Sequence, residues 1–188
     1  GIWNSQYNYQ NINFRFEKRA YMSQLGYSDL VVEGGYIFGK LPYPLMTIHR
    51  ANQTYAYQLN SFNLMNFQEF VSDHFISVNI DHHFNGLFFN RVPLLKKLKL
   101  REVVSLKMLY GGVRDENNPA KDPSLVKYPF FEGVPTTFSL ERKPYVEGSV
   151  GITNIFKLIS VDLVKRFNYL DNPHVASLGV RARFKFDF

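Results

Sequence analysis

The last twelve residues, Ser177 to Phe188 (SLGVRARFKFDF), constrain this chain more than any other stretch. Leu178, Val180, Ala182, Phe184, Phe186 and Phe188 are apolar, and Gly179, Arg181, Arg183, Lys185 and Asp187 between them are charged or small. Strict alternation is the signature of a β-strand with two unlike faces and not of a helix. A soluble strand of this kind would cover a core with one face and meet water with the other. Here, however, the sequence closes on its third aromatic in five residues, with no polar tail. A strand that crosses an outer membrane needs roughly 9–11 tilted residues, apolar towards lipid and polar towards the lumen. Phe184, Phe186 and Phe188 fit the terminal aromatic signal on which such barrels insert. The expectation is an all-β chain, an antiparallel transmembrane β-barrel with its C-terminus at the periplasm.

The same alternation recurs upstream. Eight strands are expected at about 7–21, 28–39, 54–66, 72–83, 102–112, 144–154, 158–169 and 177–188. Gly34 and Gly35 in the second suggest a bend or bulge. The third is the least regular, because its apolar positions change parity near Asn60. Pro42 and Pro44 exclude a central strand between the second and third. Residues 113–143 are Pro-punctuated, polar and without strand period, which marks a long extracellular loop. The run Phe84–Leu100 (FNGLFFNRVPLLKKLKL) suits a short amphipathic turn of helix behind Pro93. Its leucines could pack under the barrel mouth, or the turn could rest as a basic foot on a membrane interface. With eight strands, both this run and the Pro42–Pro44 stretch become long periplasmic connections, against the usual asymmetry of barrels.

Composition agrees with a barrel. Aromatics make up 16% of residues, which suits rims girdled by aromatic side chains. No run reaches the length of a transmembrane helix. The net charge of +6 could suit nucleic acid, but the basic residues are spread over alternate strand positions and form no patch. No nucleic-acid partner is expected. Cysteine is absent, which removes disulfides, thiol catalysis and Cys-based metal sites.

Candidate chemistry is sparse. Asp81, His82 and His83 are the one local cluster of metal-ligating types, but neighbours on a strand point to opposite faces. Ser72, Ser77 and His82 share a strand whose spacing gives no nucleophile–base contact. No phosphate loop, nucleophile elbow or paired carboxylate is present. No cofactor, metal or catalytic residue is therefore assigned. More informative is a row of charges on the predicted inner side. It comprises Glu33, Lys107, Glu147, Asp162, Arg166, Arg181, Arg183 and Lys185, with Arg15 and Glu17 on the first strand. Mixed signs inside a barrel are expected to pair across strands. The functional alternative is a polar passage, or a surface for a plug or a secreted chain.

The phrases GGYIFGKLPYPL, NQTYAYQLNSFNLMNFQEFVSD, HHFNGLFFNRVPLLKKLKLREVVSLK and PYVEGSVGITNIFKLISVDLVKRFNYLDNP occur in that order. They resemble the C-terminal part of a Bacteroidota outer-membrane family of unknown function that carries an N-terminal carboxypeptidase-regulatory-like β-sandwich. The resemblance spans about residues 28–188. It implies that the sandwich and earlier strands are missing here, and that these are the last strands of a larger barrel rather than a complete small one. It carries over no catalytic residues. The expected role is non-enzymatic: a structural, transport or assembly function in the bacterial cell envelope. Expected partners are outer-membrane lipid and lipopolysaccharide, the barrel-assembly machinery during insertion, and envelope proteins. Two alternatives stand beside it, a soluble lipocalin-like barrel with apolar inside and polar outside, and a membrane-embedded hydrolase.

Overall fold

The computed structural model describes residues 7–184. Lys185, Phe186 and Phe188, and so most of the proposed terminal signal, lie outside the described residues. The alternating segments form long strands: β1 (Gln10–Tyr21), β2 (Tyr27–Phe38), two short strands β3 (Thr47–Ile48) and β4 (Phe70–Ser72), β5 (His74–His83) and β6 (Arg101–Gly112). Three short strands follow, β7 (Phe130–Phe131), β8 (Val134–Pro135) and β9 (Phe138–Ser139), then β10 (Tyr145–Ile155), β11 (Ile159–Arg166) and β12 (Leu178–Phe184). The seven long strands make one antiparallel sheet in the order β1-β2-β5-β6-β10-β11-β12.

The expected count of eight strands is corrected to seven in this sheet, and the described residues do not close into the complete small barrel that was the alternative to a larger one. Residues 54–66 hold no strand of this sheet, and among the described residues β1 and β12 are its two edges and do not pair with one another. The physical reason lies in the asparagines. The Asn52 side chain accepts the Thr54 amide at 2.9 Å, and Asn63 accepts the Gln58 amide at 3.0 Å. The Asn63 side chain also donates to the Gln58 carbonyl at 3.1 Å. Such local bonds offer the backbone an alternative to a ladder. Gly34 and Gly35 likewise mark no bulge, since the β1–β2 register runs unbroken from Gln10↔Phe38 to Tyr21↔Tyr27. A Cβ at Gly34 would strike the Phe14 ring, and one at Gly35 would meet Phe75 at 2.6 Å. These glycines make room for rings lying across the strands. The sheet's register shift falls instead in β10, between Ile152 and Ile155.

The sheet is strongly curved. Strands β5 and β12 are four strand spacings apart, about 19 Å in a flat sheet, yet Arg183 Nη1 on β12 lies 3.9 Å from Asp81 Oδ2 on β5. The concave side is filled by residues 39–73, the connection from β2 to β5. Its Tyr57 packs with Leu64 and Val164, and its Phe62, Met65 and Phe70 pack with Leu109, Leu140, Tyr145 and Tyr169. The inserted segment also pairs with the sheet's edge: Ala182 of β12 accepts the Tyr57 amide at 3.0 Å and donates to the Tyr55 carbonyl at 2.9 Å.

Removing the expected third strand changes which connections share an end. One end carries the β1–β2 turn, the β5–β6 loop with helix α1 (Pro93–Leu98), and the tight β10–β11 turn. The other carries residues 39–73, 113–144 and 167–177. The longest connections now lie together.

The alternation is expressed inside out. The convex face presents exposed apolar side chains from every strand: Phe14 and Phe16, Phe38, Ile76, Leu106 and Tyr110, Val150, Leu163, and Val180 with Phe184. The concave face buries Asp81, Ser105, Lys107, Glu147, Asp162 and Arg166.

Candidate functional site

The candidate site is this filled concave face, where charged strand residues meet the inserted segment. Arg166 on β11 is fully buried. Its guanidinium donates to both carboxylate oxygens of Glu69 at 2.9 and 2.6 Å, and to the carbonyls of Tyr169 at 2.7 Å and Asn168 at 3.0 Å. Glu69 also accepts the Asn66 amide and the Asn172 side chain, each at 2.8 Å. A buried ion pair recovers its desolvation cost only when such additional bonds are present. Here they are.

Lys107 on β6 and Glu147 on β10 face one another in register, but each is satisfied by the inserted segment. Lys107 donates to the Ser61 carbonyl at 2.6 Å and to that of Gln58, and its ammonium sits 4.7 Å over the Tyr57 ring. Glu147 accepts the amides of Asn63 at 2.6 Å and Leu64 at 3.0 Å, and the Tyr145 hydroxyl at 3.1 Å. Arg181 reaches the Asn63 carbonyl at 2.5 Å. The expectation of cross-strand pairing is thus corrected for these residues, because main-chain donors and acceptors of the 39–73 segment take their place. Cross-strand pairing holds for Arg15 with Glu33, which are register partners and ion-paired. It holds also for Arg183, which lies 3.6 Å from Asp162 and 3.9 Å from Asp81. Glu33 is bound as well by Arg50 of the inserted segment, at 2.6 Å. Arg15 and Glu17 are exposed.

Tyr57 is the pivot, a role that a strand expected at 54–66 did not indicate. Its hydroxyl donates to Asp81 at 2.8 Å and lies 3.0 Å from Ser105 Oγ. Arg183 stacks over its ring at 4.2 Å. Burial first, and then Asp81, push this hydroxyl above the ordinary tyrosine range.

At the long-loop end another buried carboxylate, Asp73, joins the two longest connections. It accepts hydrogen bonds from the backbone and side-chain nitrogens of Arg114, both at 3.0 Å, and from the Asn117 side-chain nitrogen at 2.7 Å. Asn117 in turn accepts the Leu41 amide at 2.9 Å.

The polar candidates separate in space. Asp81 points to the concave face, His82 Nδ1 lies 2.7 Å from Ser28 Oγ, and His83 stacks on Tyr27 at 4.7 Å. Among the described residues no three His, Cys, Asp or Glu side chains are grouped to hold a metal. Ser72 Oγ meets His49 Nε2 at 2.9 Å rather than His82, and both residues are buried. Burial, as the leading cause, holds His49 down to about 3.

The fold and site define an all-β protein built on a curved antiparallel sheet whose polar side is packed by its own chain. Residues 1–117 match the C-terminal domain of a family of unknown function, DUF5686, and the chain belongs to that family. No curated protein and no solved structure matches it.

Proposed function

We propose that this chain forms the wall of a bacterial outer-membrane β-barrel whose lumen is occupied by its own residues 39–73. The observation that carries the reading is the inverted burial of the sheet. Large apolar side chains from seven adjacent strands stand exposed on one face, while Lys107, Glu147, Asp162 and Arg166 are buried on the other. A contiguous apolar face of this extent exceeds what soluble monomers present to water. It suits lipid, with the polar side turned inward. A lipocalin-like barrel needs the opposite arrangement.

The collected long connections at one end and the tight β10–β11 turn at the other favour the usual orientation, with the long loops outside and the C-terminus periplasmic. Both faces of β1 are exposed and its outer edge is unpaired, which favours the closing strands of a larger barrel, as in the Bacteroidota proteins that the sequence resembles. Arg166, Lys107, Glu147 and Arg181 bind the inserted segment, which supports a non-enzymatic role: structural, or in transport or assembly with other envelope proteins. Membrane lipid, lipopolysaccharide and the barrel-assembly machinery are the implied partners.

Fractionation of the expressing cells tests this. The protein is expected in the outer-membrane pellet after a urea wash, migrating differently on gels before and after boiling. Recovery in the soluble fraction would contradict it.

A further inference from the structure

The two ends of the sheet differ in charge. The connections at the tight-turn end, residues 22–26, 84–100 and 156–158, contain Arg91, Lys96, Lys97, Lys99 and Lys157 and no carboxylate. Residues 39–73, 113–144 and 167–177 at the other end hold eight carboxylates against seven Lys and Arg. The five cations at the tight-turn end form no ion pair among the described residues. A carboxylate that does reach this end, Glu102 on β6, is turned to other use: it accepts the amides of Phe88 at 3.1 Å and Phe89 at 2.5 Å.

The same connections expose large apolar side chains. Helix α1 buries none of its residues, and Leu94 and Leu98, four apart on one face, are 69% and 55% exposed. Phe156 in the β10–β11 turn is 85% exposed, and Tyr21 at the end of β1 is 76% exposed. Leu94 and Leu98 therefore do not pack under the barrel mouth. The Asn154 side chain donates to the Lys99 carbonyl at 2.7 Å, which joins the β10–β11 turn to the α1 loop as one surface. Exposed aliphatic and aromatic groups next to cations without counter-ions match the boundary between acyl chains and anionic headgroups.

We infer that the tight-turn end is a lipid-docking surface, with α1 lying in the interface and Lys96, Lys97, Lys99 and Lys157 binding the phosphodiester headgroups of anionic phospholipid in the adjoining leaflet. This rests on the membrane reading above. Charge complementarity selects the occupant, since these connections carry five cations and no carboxylate of their own, and Glu102 is taken up by the amides of Phe88 and Phe89.

The test uses the full chain reconstituted into phosphatidylcholine bilayers containing spin-labelled lipids. The protein is expected to prefer labelled phosphatidylglycerol over phosphatidylcholine by about two-fold or more, and to lose this preference in about 0.5 M salt. The combined variant Lys96→Gln, Lys97→Gln, Lys99→Gln, Lys157→Gln should show no preference, whereas Lys121→Gln with Lys127→Gln at the other end should keep it. An inserted protein whose preference survives the four substitutions overturns the inference and leaves the barrel reading intact. Stronger selection of the lipid A phosphates than of phosphatidylglycerol overturns the assignment to phospholipid. Failure to insert at all overturns both readings.

Discussion

Replacing Glu69 by Gln should unseat the inserted segment while leaving the sheet folded. The side chains of Glu69 and Arg166 are 2% and 0% exposed and share two hydrogen bonds of 2.6 and 2.9 Å. The substitution keeps shape and volume but leaves the Arg166 charge buried without its counter-ion, and turns an amide NH₂ towards the guanidinium. Breaking a buried pair from one side costs about 3–5 kcal/mol. The strand ladder around Arg166 does not depend on Glu69, so the cost falls on seating residues 39–73. A penalty of that size raises the open population of the segment by roughly 100- to 1000-fold or more. Hydrogen exchange read by mass spectrometry is the assay. Amides of Asn63 and Leu64, which donate to Glu147, should lose protection, while those of β6 and β10 keep theirs. The paired variant Glu69→Leu with Arg166→Met should recover most of the protection, because replacing both ions by apolar groups is often neutral. Exchange at Asn63 and Leu64 raised less than about three-fold by Glu69→Gln would refute the assignment of this pair as the principal anchor.

Two further predictions follow from the same face. Tyr57→Phe removes the hydroxyl that bonds Asp81 and Ser105, leaving a buried carboxylate short of a donor at a cost of about 1–3 kcal/mol; the temperature at which the unboiled gel form is lost should drop, and an unchanged temperature contradicts the role given to Tyr57. His49, on the inserted segment, is held near 3 against an ordinary value of 6.5, so it stays neutral in the fold. The unfolded chain takes up a proton below the ordinary value that the folded chain does not. Stability is therefore full above it and declines as pH falls towards 3, by at most about 1.4 kcal/mol per pH unit. His49→Gln should flatten this decline, and a pH profile identical to that of the parent would rule the histidine out as its source.

Much of the sheet was legible because alternation is a direct record of two unlike faces. The segments expected at about 102–112 and 144–154 appear at Arg101–Gly112 and Tyr145–Ile155, within one residue. Lys107, Glu147, Asp162 and Arg166, on the polar positions of their strands, are buried on the concave face. What fills the concave face was not legible. Residues 54–66 carry apolar residues at strand-like spacing, but Tyr57, Phe62, Leu64 and Met65 are buried by tertiary contacts of a looped chain. A clue lay in the asparagines Asn52, Asn60, Asn63 and Asn66, which favour side-chain turns over ladders. Glu69 and Asp73 could not be picked out, since nothing local distinguishes an acid that will meet Arg166 or Arg114 across about a hundred or forty residues of chain. Misplacing one strand also reversed the apparent side of every connection before it.

The measurement that bears most directly on the account is cysteine accessibility in isolated outer membranes, which the absence of native cysteine makes clean. Leu106→Cys, Val150→Cys and Val180→Cys lie on the convex face of β6, β10 and β12, and Val126→Cys lies in the long loop after β6. The account predicts that a water-soluble maleimide labels Val126→Cys at once and the three strand positions only after denaturation. Labelling of all four at similar rates in the native protein would mean that the apolar face meets water, and would contradict it.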